Sequence, residues 1–223
     1  AGGLVHLQAG ALEFDQGGNS TGGTWSIDDG ATLRCDGGTF TFDAATTVSG
    51  AGGFQMRGGT LHFDTDFGIT GPVLLSSGDW YQNTDVTFVN GFSLANGNLR
   101  GTGTVIFDAT TNWTNGQLLG PGRKVNRGTM NANVSGANLL IRGACPFENE
   151  GTFNFQGPSS GGGDLYVDQG STILNKSGGL FDIQTFRDIR SQSGTRGVIT
   201  NEGELRKSDS GSTFTQTTFI NAG

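Results

Sequence analysis

Gly59-Thr-Leu-His-Phe63, Gly78-Asp-Trp-Tyr-Gln82, Gly97-Asn-Leu-Arg-Gly101 and Gly116-Gln-Leu-Leu-Gly120 decide the fold, because their leading glycines follow one another at intervals of 19 residues. A fixed period near 20 is the signature of a solenoid, in which a single coil cannot bury its apolar face without neighbours above and below. Working towards the N-terminus, the same opening recurs as Gly30-Ala31-Thr32-Leu33 and Gly10-Ala11-Leu12. Towards the C-terminus the motif becomes Asn-x-Gly-Thr/Glu followed by an apolar residue: Asn126 to Met130, Asn149 to Phe153 and Asn201 to Leu205, with a variant from Asn175 to Leu180. The expectation is one solenoid domain over 1–223, with 19–20-residue coils to about 120 and looser Asn-x-Gly-Thr coils over 121–223. Glycine-rich stretches such as Ser159 to Gly163 read as loops leaving the coil.

Local patterning agrees. Runs such as Thr39-Phe40-Thr41-Phe42, Thr60-Leu61-His62-Phe63 and Thr152-Phe153-Asn154-Phe155 alternate with period two and stop at Gly, Asp or Asn, as strands bounded by turns do. Helical spacing is never sustained, since Gly or Asn interrupts nearly every window. A coil of ~20 residues then makes two or three short strands, pairs in parallel with its neighbours and rises ~4.8 Å. Nine or ten coils give a rod about 45 Å long. Asn at an equivalent corner of successive coils can form an amide ladder, as stacked Asn does in cross-β arrays. A β-sandwich also has many short strands with turn signals, but it lacks an internal repeat of this length.

Composition excludes several classes. Gly supplies 41 of 223 residues and Pro only 4, without the strict triplet period of collagen. With 16 Phe in alternating runs, the chain is too apolar to remain disordered. A net charge of −7 and a pI near 4.6 argue against nucleic acid and against anionic membranes as partners. No apolar run reaches the ~18 residues of a transmembrane helix, so no membrane insertion is expected. The opening AGGLVHLQAG has neither a basic nor an apolar leader region, so either a signal peptide has been removed or the chain is a piece of something longer.

The stretches Gly101-Thr-Gly-Thr-Val105 and Asn112-Trp-Thr-Asn-Gly116 resemble the repeat units of large bacterial secreted proteins. So do Gly179 to Gln184, Ile199 to Ser208 and Phe219-Ile-Asn-Ala-Gly223. The resemblance is to adhesin-like, right-handed parallel β-helix proteins, including haemagglutinin-like and autotransporter-passenger regions. It covers most of residues 95–223 and, more loosely, the first half. It implies an all-β solenoid located outside the cell or at its surface, and a stalk-like role. The last motif stops at Gly223, which points to a fragment or to an end-to-end stacking subunit.

β-Helices also carry lyases and glycosidases, and the carboxylate pairs that could serve such chemistry are Asp28/Asp29, Asp64/Asp66 and Glu148/Glu150. A glycosidase needs two carboxyl groups facing one another about 5–10 Å apart. Asp64 and Asp66 would share a strand face, yet turn capping accounts for such residues as well. His6 and His62 stand about three coils apart, too far to share a metal. The nearest approach to a calcium-binding repeat, Gly161-Gly-Gly-Asp164, occurs once. No catalytic residue, cofactor or metal site is therefore expected. Thr39 and Thr41 suit an ice-binding face but do not recur at matching positions.

Among the aromatic residues, Trp25, Trp113 and Tyr166 suit core packing as well as binding. Trp80-Tyr81 is the candidate contact patch, because two adjacent rings must send one outward, where it can stack on a surface glycan. Sequons occur at Asn19, Asn112, Asn133 and Asn175. Cys35 and Cys145 are 110 residues apart, about five coils or 24 Å, far beyond the ~7 Å Cα limit of a disulfide. They are either buried thiols or an intermolecular bridge in a head-to-tail assembly. The functional expectation is an extracellular structural or adhesive solenoid, joined to copies of itself or to the rest of a longer chain. A carbohydrate-binding or carbohydrate-cleaving β-helix of the tailspike type is the alternative.

Overall fold

A computed structural model describes residues 2–222. It contains thirty β-strands and no helix, wound as a parallel β-solenoid of three short strands per coil. Phe67–Ile69, Val73–Leu75 and Asp79–Gln82 make one coil. Val86–Phe88, Phe92–Leu94 and Asn98–Arg100 make the next. Each strand pairs only in parallel with its equivalents one coil before and after, which builds three faces. Face one, the face of Phe67–Ile69, is divided into a four-stranded and a seven-stranded sheet. Face two has ten strands and face three nine. At ~4.8 Å per coil, ten coils give a rod about 48 Å long.

Register keeps inward side chains in columns. Along face two, Val73 pairs with Phe54 and with Phe92. Phe92 pairs with Thr111, and Thr111 with Met130. Alternate residues of each strand are buried, as in the intermediate–buried–intermediate–buried pattern of Asp79–Gln82. The coil length is less uniform than the glycine spacing suggests. Leu12 pairs with Leu33, 21 residues on, whereas Phe54 pairs with Val73 after 19. Phe153 pairs with Phe181 after 28. Extra residues are extruded at corners, so the columns survive every change in length.

The glycine period has a steric cause. Gly59 and Gly116 turn corners at φ of +71° and +93°, a region that glycine enters without penalty. A Cβ on Gly59 would lie 2.2 Å from the carbonyl oxygen of Gly38, and one on Gly116 would lie 2.3 Å from that of Gly97. Neither corner could then stack directly on the coil below.

The interior changes character along the axis. From Phe14 to Phe107 the core is a connected chain of aromatic contacts. Phe42 stacks on Phe63 at 4.6 Å, Trp80 packs against Phe54 at 5.1 Å, and Phe88 stacks on Phe92 at 4.6 Å. Beyond Phe107, the face-one column that held Phe88 and Phe107 holds Asn126, Asn149, Asn175, Asn201 and Asn221 instead. This is the amide ladder expected from the sequence. Each Nδ2 donates to the Oδ1 one coil further on, at 2.7, 2.7, 2.7 and 2.9 Å. The Asn-x-Gly spacing follows from it. The Asn149 amide also donates to the Gly151 carbonyl, 3.2 Å away, and a Cβ on Gly151 would lie 2.2 Å from the Gly128 carbonyl oxygen.

Candidate functional site

Trp80 and Tyr81 follow the strand alternation, one inward and one outward. Trp80 is fully buried among Phe54, Phe67 and Phe88. Its Nε1–H donates to Gln82 Oε1 at 3.1 Å, and the Gln82 amide is held in turn by the Thr84 carbonyl and hydroxyl. Trp80 is therefore removed from the expected contact patch, because the inward position of the strand belongs to the core. Tyr81 does point outward. Its ring is covered by His62 from the preceding coil, at 4.7 Å and 13° between planes, and by the Arg100 guanidinium from the following coil at 5.7 Å. A sugar ring stacks on an open aromatic face, and Tyr81 has both faces engaged. What remains is a ring edge beside a shallow depression of about 250 Å³ bordered by Arg100, Leu119 and Pro121.

Both cysteines turn inward. Cys35 is 3% exposed and Cys145 fully buried. Burial pushes the Cys35 thiol up to about 12, reinforced by the nearby Asp36 carboxylate. Burial likewise pushes Cys145 up to about 11, against the opposing charge of Lys124. Neither sulfur can meet another subunit without opening a coil, so the intermolecular bridge is replaced by the buried-thiol reading. Lys124 is a neighbour that the sequence did not reveal. It is fully buried, its Nζ donates to the Gly122 carbonyl at 2.9 Å, and desolvation pushes its pKa down.

One member of each of the first two acidic pairs, and both of the third, bond to a neighbouring coil, while Asp29 is exposed. Both oxygens of Asp28 lie 3.0 Å from His6 Nε2. Asp64 accepts from the Asn83 amide at 2.7 Å, while Asp66 is exposed. Glu148 and Glu150 sit in a five-membered network. Lys176 Nζ bridges them at 3.0 and 3.2 Å, Arg123 reaches Glu148 at 3.3 Å, and Arg127 reaches Glu150 at 3.0 Å. Among the described residues, no three His, Cys, Asp or Glu side chains are placed to hold one metal ion. Trp25 and Trp113 are core residues, and Tyr166 is 7% exposed. Of the sequon asparagines, Asn19 and Asn112 are exposed, Asn133 is half-buried, and Asn175 is sealed inside the ladder.

The outer surface of face two differs from the rest. Across six consecutive strands, Gly53–Met56, Val73–Leu75, Phe92–Leu94, Thr111–Trp113, Thr129–Asn133 and Thr152–Gln156, no charged residue occurs. Outward amides run along it as a second ladder. Asn131 donates to Asn112 at 3.3 Å, Asn154 to Asn131 at 3.0 Å, and Gln184 to Asn154 at 3.1 Å. Charge returns at both ends of the strip, as Glu13 with Arg34 and as Asp182 with Arg206.

The fold defines the chain as a three-sided parallel β-solenoid. Compared with known protein families, curated proteins and solved structures, it matches none.

Proposed function

We propose that the chain is an extracellular structural rod, the stalk or fibre element of an adhesin-like assembly. The observation that carries this reading is that side chains on all three faces are used to bond one coil to the next. Main-chain ladders run along every face. On face one they are joined by the buried Asn ladder and the Glu148–Lys176–Glu150 network. On face two the outward amides link successive coils, and on face three His62, Tyr81 and Arg100 stack one above another. Groups that an enzyme or receptor would aim at a ligand are spent here on axial cohesion, as a spacer requires. The motif resemblance to secreted repeat proteins supports the extracellular setting.

The test is electron microscopy of single particles together with limited proteolysis. Uniform rods about 48 Å long, set by the coil rise, that resist cleavage except at the loops near Ser159–Gly163 and Ser191–Arg196 are the expected result. Compact particles of another shape would refute the reading. A second reading, a module that binds neutral glycans, is favoured by the uncharged strip on face two. A glycan array would decide it, since a structural rod predicts no saturable binding there, and hydrolysis of any bound oligosaccharide would make it an enzyme.

A further inference from the structure

The dipeptide Asn-Gly occurs three times, as Asn90-Gly91, Asn96-Gly97 and Asn115-Gly116. Glycine after asparagine leaves the main-chain nitrogen uncrowded, because no Cβ shields it. By sequence the three pairs are alike, but the structure separates them. The Gly116 N–H donates to Asn115 Oδ1 at 2.7 Å, and among the described residues no other N–H donates to the side chain of the asparagine just before it. Asn and Asp at turns ordinarily accept from the N–H two residues on. Asp43, Asn133 and Asp209 do so here, towards Ala45, Ser135 and Gly211. The bond is also unusual for its place in the coil. Gly116, Leu139, Leu165 and Ile189 share one corner column of face three. The N–H groups of Leu139, Leu165 and Ile189 each donate to a carbonyl of the following coil, those of Asp164, Asp188 and Phe214, at 3.0 Å. At Gly116 the N–H turns to its own chain neighbour instead.

We propose that Asn115 is a self-modifying site, at which the Gly116 nitrogen closes on Asn115 Cγ and expels ammonia. Cγ is bonded directly to Oδ1, so the hydrogen bond holds nucleophile and electrophile together, as the near-attack geometry of an intramolecular reaction requires. Loss of the Gly116 N–H proton to solvent base frees the nitrogen lone pair. A bond forms from that nitrogen to Cγ, the bond from Cγ to Nδ2 breaks, and Nδ2 leaves as ammonia with a proton taken back from solvent. Water then opens the cyclic imide at either of its carbonyls. Opening at Cγ leaves aspartate, whereas opening at the main-chain carbon leaves isoaspartate, with the chain running through Cβ and Cγ. Water is the only co-reactant, and Asn115 is half-buried, within its reach. The corner then pays for the change. Gly116 turns at φ +93° so close to the coil below that a Cβ would lie 2.3 Å from the Gly97 carbonyl oxygen. Isoaspartate inserts a chain atom immediately before that contact, so the corner must lift away from Gly97. Either product also sets a carboxylate just past the strand Thr111–Trp113, at the edge of the uncharged strip.

Peptide mapping by mass spectrometry, after incubation of the folded chain in mildly alkaline buffer, tests the proposal. The same incubation in denaturant serves as its comparison. In the folded chain Asn115 is expected to gain the mass of an amide-to-acid exchange several-fold faster than Asn90 or Asn96. An isoaspartyl methyltransferase should label the peptide that contains it. In denaturant the three sites should convert at similar rates, since only the shared dipeptide remains to direct the reaction. Asn115→Ser should remove the label from that peptide, with circular dichroism unchanged. Equal conversion of the three sites in the folded chain, or slower conversion at Asn115, overturns the proposal. An excess at Asn115 that persists in denaturant overturns it too, because the corner geometry would then contribute nothing. A label that survives Asn115→Ser places the reaction at another residue and overturns it as well.

Discussion

The N-terminal and C-terminal halves solve the same stacking problem with different interiors. Up to Phe107 successive coils cohere through aromatic contacts, such as Phe42 on Phe63 and Phe88 on Phe107. Such contacts add roughly 0.5–1.5 kcal/mol per pair beyond the burial itself. From Asn126 onward the face-one column coheres through amides, each bonded to the next coil at 2.7–2.9 Å. The aromatic interior tolerates directionless packing and coils of 19–23 residues. The amide ladder has a direction, donating always towards the C-terminus, and it holds the column in place while coil length climbs to 28 residues. Insertions gather in the half whose core is pinned by directional bonds. Where the two interiors meet, the change leaves marks: Asn126 Oδ1 is buried with no partner, since Phe107 precedes it in the column, and Lys124 is buried beside it on the same strand.

The largest expected effect breaks the aromatic half. Trp80→Ala removes the hub of five aromatic contacts and the partner of Gln82. It should cost about 3–5 kcal/mol of stability, read by denaturant unfolding, with hydrogen exchange accelerated first around residues 54–92. Asn149→Leu breaks the other half in the middle of its ladder. It leaves the Asn126 amide and the Asn175 oxygen short of a partner, at about 1–3 kcal/mol for each buried group left unsatisfied. Exchange should then accelerate around residues 126–205, with the aromatic half still protected. Uniform acceleration along the whole rod after either change would mean that the two interiors are not separable.

Smaller effects sharpen the boundary and the far end. Lys124→Met should stabilise the junction by about 1–3 kcal/mol, because an ammonium that has a single carbonyl partner is costly to bury. The buried amine binds its proton less tightly than the ordinary 10.5, so between the lowered folded value and 10.5 the unfolded chain holds more protons. Stability should therefore rise with pH across that window and stay flat there in the variant. Asp182→Asn addresses the last full coil of face two. The Arg206 hydrogen bond, helped by Gln184 and Ser208 and opposed by desolvation, holds the Asp182 carboxyl down at about 2 against an ordinary 3.8. Its contribution is fully present above pH 3.8 and is lost as pH falls through about 2. The variant should lack that acid transition in a thermal melt followed against pH. Tyr81→Ala should change stability by less than about 1 kcal/mol, since it removes only an outward stack, and should leave the fold intact by circular dichroism.

Much of this was legible in the chain. The 19-residue glycine interval reported the solenoid because a corner that must stack backbone on backbone admits no side chain, a constraint visible in any linear sequence. The Asn-x-Gly repeat reported the ladder for the same reason. Residues that bond across coils were harder to find. Arg100 follows Tyr81 at the 19-residue interval, but Arg34 meets Glu13 after 21 residues, Arg206 meets Asp182 after 24 and Lys176 meets Glu150 after 26, so no single offset aligns such partners in advance. Trp80 and Tyr81 look alike in sequence, while in a strand one of two adjacent aromatic residues must face the core, and here it is Trp80.

By itself the sequence determined the all-β class, the parallel winding, the amide ladder and the absence of a sustained helix, because these depend on local sterics and on period. Tertiary structure alone decided which of Trp80 and Tyr81 faces outward, that both cysteines and Lys124 are sealed inside, and that the uncharged strip and the alternating charges of Glu13 and Arg206 fall in shared columns. The reason is physical. Period and corner chemistry are properties of one coil, whereas burial and columnar contact exist only once coils of unequal length have been stacked in register.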